Sequence, residues 1–281
     1  MNIKCFGYRG ITSQVNRIEE GFEQLGFNTD HEQLPDLIYA NDISSWDEAL
    51  KASQNWPCEV ILNFLDLPVH LPVDAERQVQ KVRRMASEGY KITCISEFVQ
   101  GQLNKFCDIY SPIIYQPAKN ITNLNLDRDI EFLIVGRNND LGKGHKDITF
   151  PVIEAIDGNL KRLHVIGENV GFGEYHGFVS DQKLNELYNR AKYVFIPSIH
   201  DGLGMQLIES VIAGATPISY RWHPTAKEFI EKELVFDSIN DIISFIKDGN
   251  VHNSKLYKDY SVKFSGKTIA KNILNVAEIT N

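Results

Sequence analysis

Cysteine, methionine and tryptophan are scarce in this chain, and no apolar run approaches the length of a membrane span. Its 281 residues hold 4 Cys, 3 Met and 3 Trp. The cysteines (Cys5, Cys58, Cys94 and Cys107) all fall in the first half and lack the paired spacing of a metal site. That pattern excludes a zinc ribbon or a disulfide framework and reads as reduced, buried thiols in a cytoplasmic protein. A membrane span needs roughly 20 apolar residues and none are consecutive here, so no span is expected. A basic amphipathic helix that could rest on a bilayer is missing too. The opening MNIKCFGYRG runs straight into a strand pattern, so no signal peptide is expected either. No G-x-G-x-x-G follows a strand, which argues against a nicotinamide enzyme. Ser265-Gly-Lys-Thr268 lacks the glycine of a phosphate loop, because Ser261 stands five positions before Gly266 and no strand precedes it. The net charge of −8 argues against a general nucleic-acid binder while permitting a local basic groove.

What is present is an α/β alternation in a chain long enough for two domains. Hydrophobic content of 43% and charged content of 23% are those of a soluble globular protein. Asn2 to Phe6 reads as a first strand, followed by the glycine-bearing loop GYRGITSQ. Val15, Ile18, Phe22 and Leu25 then mark a helix that Gly26 ends. Further strands are expected at 36–41, 60–65 and 90–95, with a polar segment carrying Trp46 and Trp56 between the first two. Asp74 to Glu88 is a polar helix with Arg77, Lys81, Arg83 and Arg84, and Ser96 has the position of an N-cap. Asp66 lies in a proline turn at the edge where open parallel sheets hold ligands, a place that equally suits a plain turn residue. The proline- and asparagine-rich run from Pro117 to Asp129 is the best domain boundary, which gives domains 1–120 and 121–281.

The stretch from Arg190 to Pro217, RAKYVFIPSIHDGLGMQLIESVIAGATP, organises the rest. YVFIP is a buried strand and SIHDGLG a loop. Leu207, Ile208, Val211 and Ile212 lie on one face of the helix that follows, which Gly214 and Pro217 close. A glycine-containing loop that feeds a helix N-terminus presents unpaired amides and a positive dipole end, which suits a phosphate. Asp201 precedes that helix and Glu209 lies inside it.

Asp201-Gly-Leu-Gly…Glu209 resembles the E-x7-E signature of retaining GT-B glycosyltransferases of the family-4 type, with Asp in place of the usual first Glu. Arg137 and Lys143, after the strand Glu131-Phe-Leu-Ile-Val-Gly, match the family's Arg and Lys. The run YHGFVSDQKLNELYNRAKYVFIPS matches its helix-and-strand pattern almost position for position. The match is strong from Phe132 to Pro217 and only topological before Asp129. The resemblance implies two Rossmann-like domains that face a cleft, with a terminal helix that crosses back onto the first. It implies transfer of a sugar from a UDP- or GDP-linked donor to a hydroxyl acceptor with retention, and no cofactor or metal. Asp201, Arg137, Lys143 and Asp66 would carry the chemistry. Gly10, Phe178, Val179, Gly202, Leu203, Gly204, Met205 and Glu209 would hold the donor, with Glu209 on the ribose and Asp201 on sugar hydroxyls.

Asp127-Arg128-Asp129 has the form of a D-x-D metal motif, and its place in a linker argues for coincidence. Arg9, Arg83 and Arg84 are the candidates for the acceptor side, where the family's usual histidine is missing and Asn63, Asp66 and His70 stand instead. The acceptor is expected to be a soluble glycan or small molecule. A phage-type DNA glycosyltransferase with a rim of Arg9, Arg17, Arg77, Lys81, Arg83 and Arg84 is the alternative. A degenerate protein that binds nucleotide sugars without turnover, or an epimerase of similar fold, are the others.

Overall fold

The structure, a computed structural model, describes residues 1–7, 12–54, 56–66, 72–158, 160–252 and 256–279. Arg9, Gly10 and His70 lie outside them. The chain divides into two compact units, Met1–Pro117 with Val262–Asn281, and Ala118–Ser261. The division falls three residues before the expected boundary, and the C-terminal residues group with the first unit.

The first unit runs β1 (Ile3–Phe6), α1 (Thr12–Gln24), β2 (Leu37–Ala40), α2 (Trp46–Ser53), β3 (Glu59–Phe64), α3 (Pro72–Ser87), β4 (Lys91–Cys94) and α4 (Glu97–Cys107). Its strands form one parallel sheet in the order β1-β2-β3-β4. The polar segment after β2 is a helix. Trp46 opens it, fully buried, and its indole N–H donates to the Asn63 carbonyl at 3.0 Å. An interior partner for the indole N–H turns a residue in a polar stretch into a core residue. Ser96 caps α4, its hydroxyl accepting the Val99 amide at 3.2 Å. Asn41, Asn63, Thr93 and Gln116 form a buried polar chain beneath the sheet's C-terminal edge, linked at 2.7 to 3.1 Å.

The second unit contains β5 (Ile130–Gly136), α5 (Phe150–Asp157), β6 (Leu163–Gly167), β7 (Glu174–Gly177), α6 (Asp181–Arg190), β8 (Ala191–Ile196), α7 (Met205–Ala213), β9 (Thr216–Tyr220), α8 (Ala226–Phe229), β10 (Val235–Phe236), α9 (Ile239–Lys247) and most of α10 (Tyr257–Lys263). All its strand pairs are parallel, in the order β10-β9-β8-β5-β6-β7. The order turns back between β5 and β8, and in open parallel sheets that switch point is where a crevice opens at the strand ends. The unit's core is aromatic-rich, with Phe132, Tyr193 and Phe195 in ring contact.

The expected single terminal helix is two. It breaks at Phe264 and Ser265, and Ser265 caps α11 (Gly266–Val276) by accepting the Thr268 amide. The SGKT string is therefore a helix start. α11 packs on α1, and Ile269, Ala270, Ile273 and Leu274 complete the core built by Val15, Ile18 and Phe22. The helices meet at two glycines. A Cβ on Gly21 would lie 2.2 Å from the Gly266 carbonyl oxygen, and one on Gly266 would lie 2.1 Å from the Arg17 carbonyl oxygen. Both obstacles are backbone, so neither helix can yield without separating. Gly21→Ala or Gly266→Ala is expected to lower stability by about 2–4 kcal/mol. Urea unfolding checks this, and a change below about 0.5 kcal/mol in both variants would show that the crossing tolerates a methyl group.

Candidate functional site

At the switch point of the second sheet, the loops after β5, β8 and β9 leave three neighbouring strands at the same edge. The loop after β5 is closed on itself. The Asp140 carboxylate accepts the Gly142 amide at 2.9 Å and lies 3.4 Å from Arg137. It is also laced to the loop after β8, because the Ile199 amide donates to the Gly142 carbonyl at 2.7 Å. The third loop is joined in turn, through the Trp222 indole N–H donating to the Pro197 carbonyl at 2.7 Å.

The centre of this knot is an ion pair. Lys143 Nζ donates to Asp201 Oδ2 at 3.0 Å, with the two side chains only 13% and 15% exposed. The other carboxylate oxygen of Asp201 accepts the Gly204 amide at 2.7 Å and the Leu203 amide at 3.3 Å. Asp201 therefore holds its own loop in the turn that launches α7. Burial pushes its pKa up, but the Lys143 charge, nearby His223 and the Gly204 amide outweigh that and hold it below the ordinary value. Gly204 has φ of 69°, the left-handed region that the turn requires. A Cβ there would lie 2.8 Å from Leu207 Cδ1 and 3.0 Å from Thr225 Oγ1. Met205 and the residues after it begin α7, whose first amides have no intrahelical acceptor.

Glu209 lies one and a half turns into α7, 3% exposed, and accepts the Tyr188 phenol at 3.0 Å. Burial and the adjacent carboxylate push the Tyr188 pKa well up. The structure thus gathers Lys143, Asp201, Gly202, Leu203, Gly204 and Met205 at one edge, with Arg137 at the start of the Lys143 loop and Glu209 inside α7. Arg137 is 73% exposed, its guanidinium near Asp140. Phe178 (86% exposed) and Val179 follow β7 and precede α6, which Ser180 caps. The Asp201 partner draws the Lys143 side chain into the fold.

Two residues of this site carry no motif in the sequence. His223 and Thr225, just past β9, are 4% and 1% exposed. The Thr225 amide donates to His223 Nδ1 at 3.3 Å, and a Cβ on Gly204 would meet both side chains. His223 Nε2 and Thr225 Oγ1 have no partner among the described residues. The only signal that could have found them is their place after a strand adjacent to β8.

On the first unit the two described acceptor-side candidates, Arg83 and Arg84, leave α3 in different directions. Arg83 turns toward α4 and donates to the Phe106 carbonyl at 2.8 Å. Arg84 lies on the other flank of α3, 3.8 Å from Glu88, in a groove of about 350 Å³ shared with Asp47, Arg77, Gln80 and Lys81. Consecutive helical residues point roughly 100° apart, which sets the two guanidiniums on different flanks of α3. Arg17 is 7% exposed and cannot join a rim. Asp66 follows β3 as the last described residue before position 72.

Two buried histidines feel the charges of this pair, His145 that of Lys143 and His223 those of both partners. Burial, reinforced by Lys143, lowers the His145 pKa to about 3. Burial also lowers that of His223 to about 4, against the pull of Asp201. Both are neutral in the fold and take up protons readily when it opens. Their contribution is therefore complete above the ordinary pKa of about 6.5 and is lost as pH falls toward the folded values. By pH 4.5 each is expected to cost roughly 2–3 kcal/mol. Urea unfolding from pH 7 to 4.5 should show this decline, and His145→Gln should roughly halve its slope. An unchanged slope would remove His145 from the titration.

The comparisons with known proteins bear on the fold and on the second unit. Residues 118–241, less than half of the chain, match the family described as Glycosyl transferases group 1. A comparison with curated protein sequences gives no match. Among solved structures the chain resembles HepE of Anabaena in complex with UDP and glucose, with TM-score 0.72, 13% identity and 99% of each chain covered. It resembles the lipopolysaccharide outer core galactosyltransferase WaaB at TM-score 0.70, 16% identity and again 99% of each chain. Sucrose-phosphate synthase from Thermosynechococcus elongatus gives TM-score 0.68 and 13% identity over 100% of this chain and 95% of that one. With its two parallel sheets the chain has the GT-B fold, and it is within the second unit that the residues matching the glycosyl transferases group 1 family lie.

Proposed function

We propose that the protein transfers a sugar from a nucleotide diphosphate sugar to a hydroxyl acceptor in the cytoplasm, with retention at the anomeric carbon. The observation that carries this reading is the Lys143–Asp201 pair at the N-terminus of α7, with Arg137 on the same loop. Two cations and a helix N-terminus at one strand edge are what a departing diphosphate needs, because negative charge grows on it as the glycosidic bond breaks. Retention and the family-4-like assignment rest on the Asp201…Glu209 spacing. The acceptor oxygen would bond to the anomeric carbon from the side the phosphate leaves, and its proton would pass to the departing phosphate oxygen. Glu209 would hold the ribose hydroxyls. Asp201 Oδ2 keeps one lone pair beyond its bond to Lys143, so a sugar hydroxyl could be held there without dismantling the loop.

The donor nucleotide is proposed to be UDP, in keeping with the UDP and UDP-glucose complexes of HepE. The acceptor is proposed to be a soluble glycan or small molecule, as no described helix is long and apolar enough to cross a membrane. The duplex-DNA alternative is proposed second, because Arg83 bonds toward α4 and Arg17 is buried. A thermal-shift series with UDP-, GDP-, ADP- and dTDP-sugars tests the donor. A rise with UDP-sugars is expected, and no shift with any of the four would overturn the reading.

The loop chemistry gives separable outcomes. Arg137→Ala should lower turnover by a factor on the order of 100 with no change in Tm, because the side chain is exposed. Lys143→Ala should lower turnover comparably and also cost about 3 kcal/mol of stability, because it strands the Asp201 carboxylate. Wild-type turnover in both variants would take the diphosphate away from this loop. Glu209→Gln should weaken UDP binding roughly 10-fold by calorimetry through loss of a charged acceptor. Asp201→Asn, which keeps an oxygen for the Gly204 amide, should spare UDP affinity and impair transfer. The opposite pattern would reverse the two roles.

A further inference from the structure

Away from the switch point, the outer edge of the second sheet carries a cluster that the transfer chemistry does not use. His164 on β6 lies directly opposite Glu174 on the edge strand β7. Alternate residues of a strand share a face, which brings His176 to the same side as Glu174. The pairing slips between Val165 and Ile166, so that Val165 meets Tyr175 while Ile166 meets Gly177. His176 is the residue passed over. A bulge of this kind re-aims a side chain, and here it sets His176 Nε2 2.9 Å from His164 Nδ1. The Glu174 carboxylate lies 3.8 Å from His176 Nε2 and 3.6 Å from His164 Nε2. One donor atom from each of the three residues falls within 4.8 Å of the others.

We infer that His164, Glu174 and His176 form a binding site for a divalent transition metal of zinc type, held between β6 and β7. Two imidazoles and a carboxylate are a donor set of borderline softness, which favours zinc, cobalt or nickel over magnesium or calcium. Zinc–nitrogen bonds of about 2.0–2.1 Å at a tetrahedral angle place two ligand nitrogens roughly 3.3 Å apart. The observed 2.9 Å between nitrogens and 3.8 Å from nitrogen to oxygen each lie within about half an ångström of such a shell. His164 Nδ1, His176 Nε2 and Glu174 Oε1 would be the ligands, and water would take the fourth position.

The surroundings permit a cation there. The two histidines are 16% and 15% exposed and Glu174 is 64% exposed, so the ligands are positioned while one side stays open for entry. The neighbouring cation, Arg190, is paired with Asp129 at 2.7 Å and with Glu186 at 3.0 Å, so its charge is already compensated. Other histidine–carboxylate pairs among the described residues, His31–Glu19 and His252–Glu231, offer two donors only. A bound ion would clamp the edge strand that runs through Gly177 into Phe178. The inference does not depend on the proposed transfer reaction.

The test is metal binding by the full chain after chelator treatment, with zinc chloride as the probe. Competition against a chromophoric chelator and elemental analysis after dialysis should give one zinc per chain at micromolar affinity. Zinc at about 100-fold above the dissociation constant should raise Tm by about 3–6 °C, and magnesium should not. His176→Ala and Glu174→Gln should each weaken zinc by at least about 10-fold. Cys58→Ser, which alters the one half-buried thiol, should leave binding unchanged. His164→Ala is the third ligand variant. Should it fail to fold, the exposed Glu174 and the edge-strand His176 still decide the matter. Substoichiometric zinc in the wild-type chain, or wild-type affinity in both His176→Ala and Glu174→Gln, would overturn the inference.

Discussion

The buried contact between Lys143 and Asp201 is the constraint on which the rest of the second unit's working edge depends. Taking two charges out of water is costly, and their attraction offsets this only when the remaining bonding capacity is also used. Here it is used, since the Asp201 oxygen turned away from Lys143 accepts two amides of its own loop. The pair spans 58 residues in sequence yet joins loops from β5 and β8, adjacent strands at the place where the sheet's order turns back. One carboxylate thus fixes the loop, the left-handed Gly204 and the direction of α7. The axis of α7 carries the dipole that makes the edge attractive to anions.

The other end of α7 is held with equal care. Arg128 donates to the carbonyls of Ala191 at 2.6 Å and Ala213 at 3.0 Å, which places a cation at the helix C-terminus where the dipole favours one. The linker that carries Arg128 is itself laced to α6. Asn185 accepts the Thr122 amide at 3.0 Å, and Asn189 accepts the Leu124 amide at 2.6 Å. Asp129 closes the arrangement on Arg190. The D-x-D string therefore has a structural explanation in each of its ordered contacts. Its middle residue braces α7 and its last residue anchors α6.

How much of this was legible in the sequence follows from the range of each interaction. β8 and α7 were readable because YVFIP and the Leu207, Ile208, Val211, Ile212 stripe are local patterns that tertiary packing reinforces. The Ser96 cap was readable for the same reason. α2 was not, because Trp46 and Leu50 are its only large apolar residues, and Trp46 is held in the core through a bond to Asn63 on another strand. The break in the terminal helix was equally hidden. A Ser-Gly step is a weak breaker, and what demands it is the close approach of Gly266 to the Arg17 carbonyl, set by a helix at the far end of the chain. His223 and Thr225 escaped notice because nothing in RWHPT marks chemistry until β9 is placed beside β8. The separate directions of Arg83 and Arg84 were hidden for the opposite reason, since neighbours in sequence diverge on a helix.

Charge counting on α3 bears on the acceptor. Among the described basic residues first assigned to a rim, Arg17 is buried and Arg83 is bonded to Phe106, which leaves Arg77, Lys81 and Arg84 on one face. Each of these has an acidic neighbour, Asp74, Asp47 and Glu88, at 3.7, 2.9 and 3.8 Å. Exposed pairs of this kind are worth at most about 1 kcal/mol, so they would not by themselves keep a polyanion away. The limit comes from number. Three phosphate contacts give a salt slope near −2.7, so a fourfold rise in salt from 50 mM would cost roughly 40-fold in affinity. Specific duplex binders start from a larger electrostatic term than three contacts provide, and Asp47 subtracts from even that.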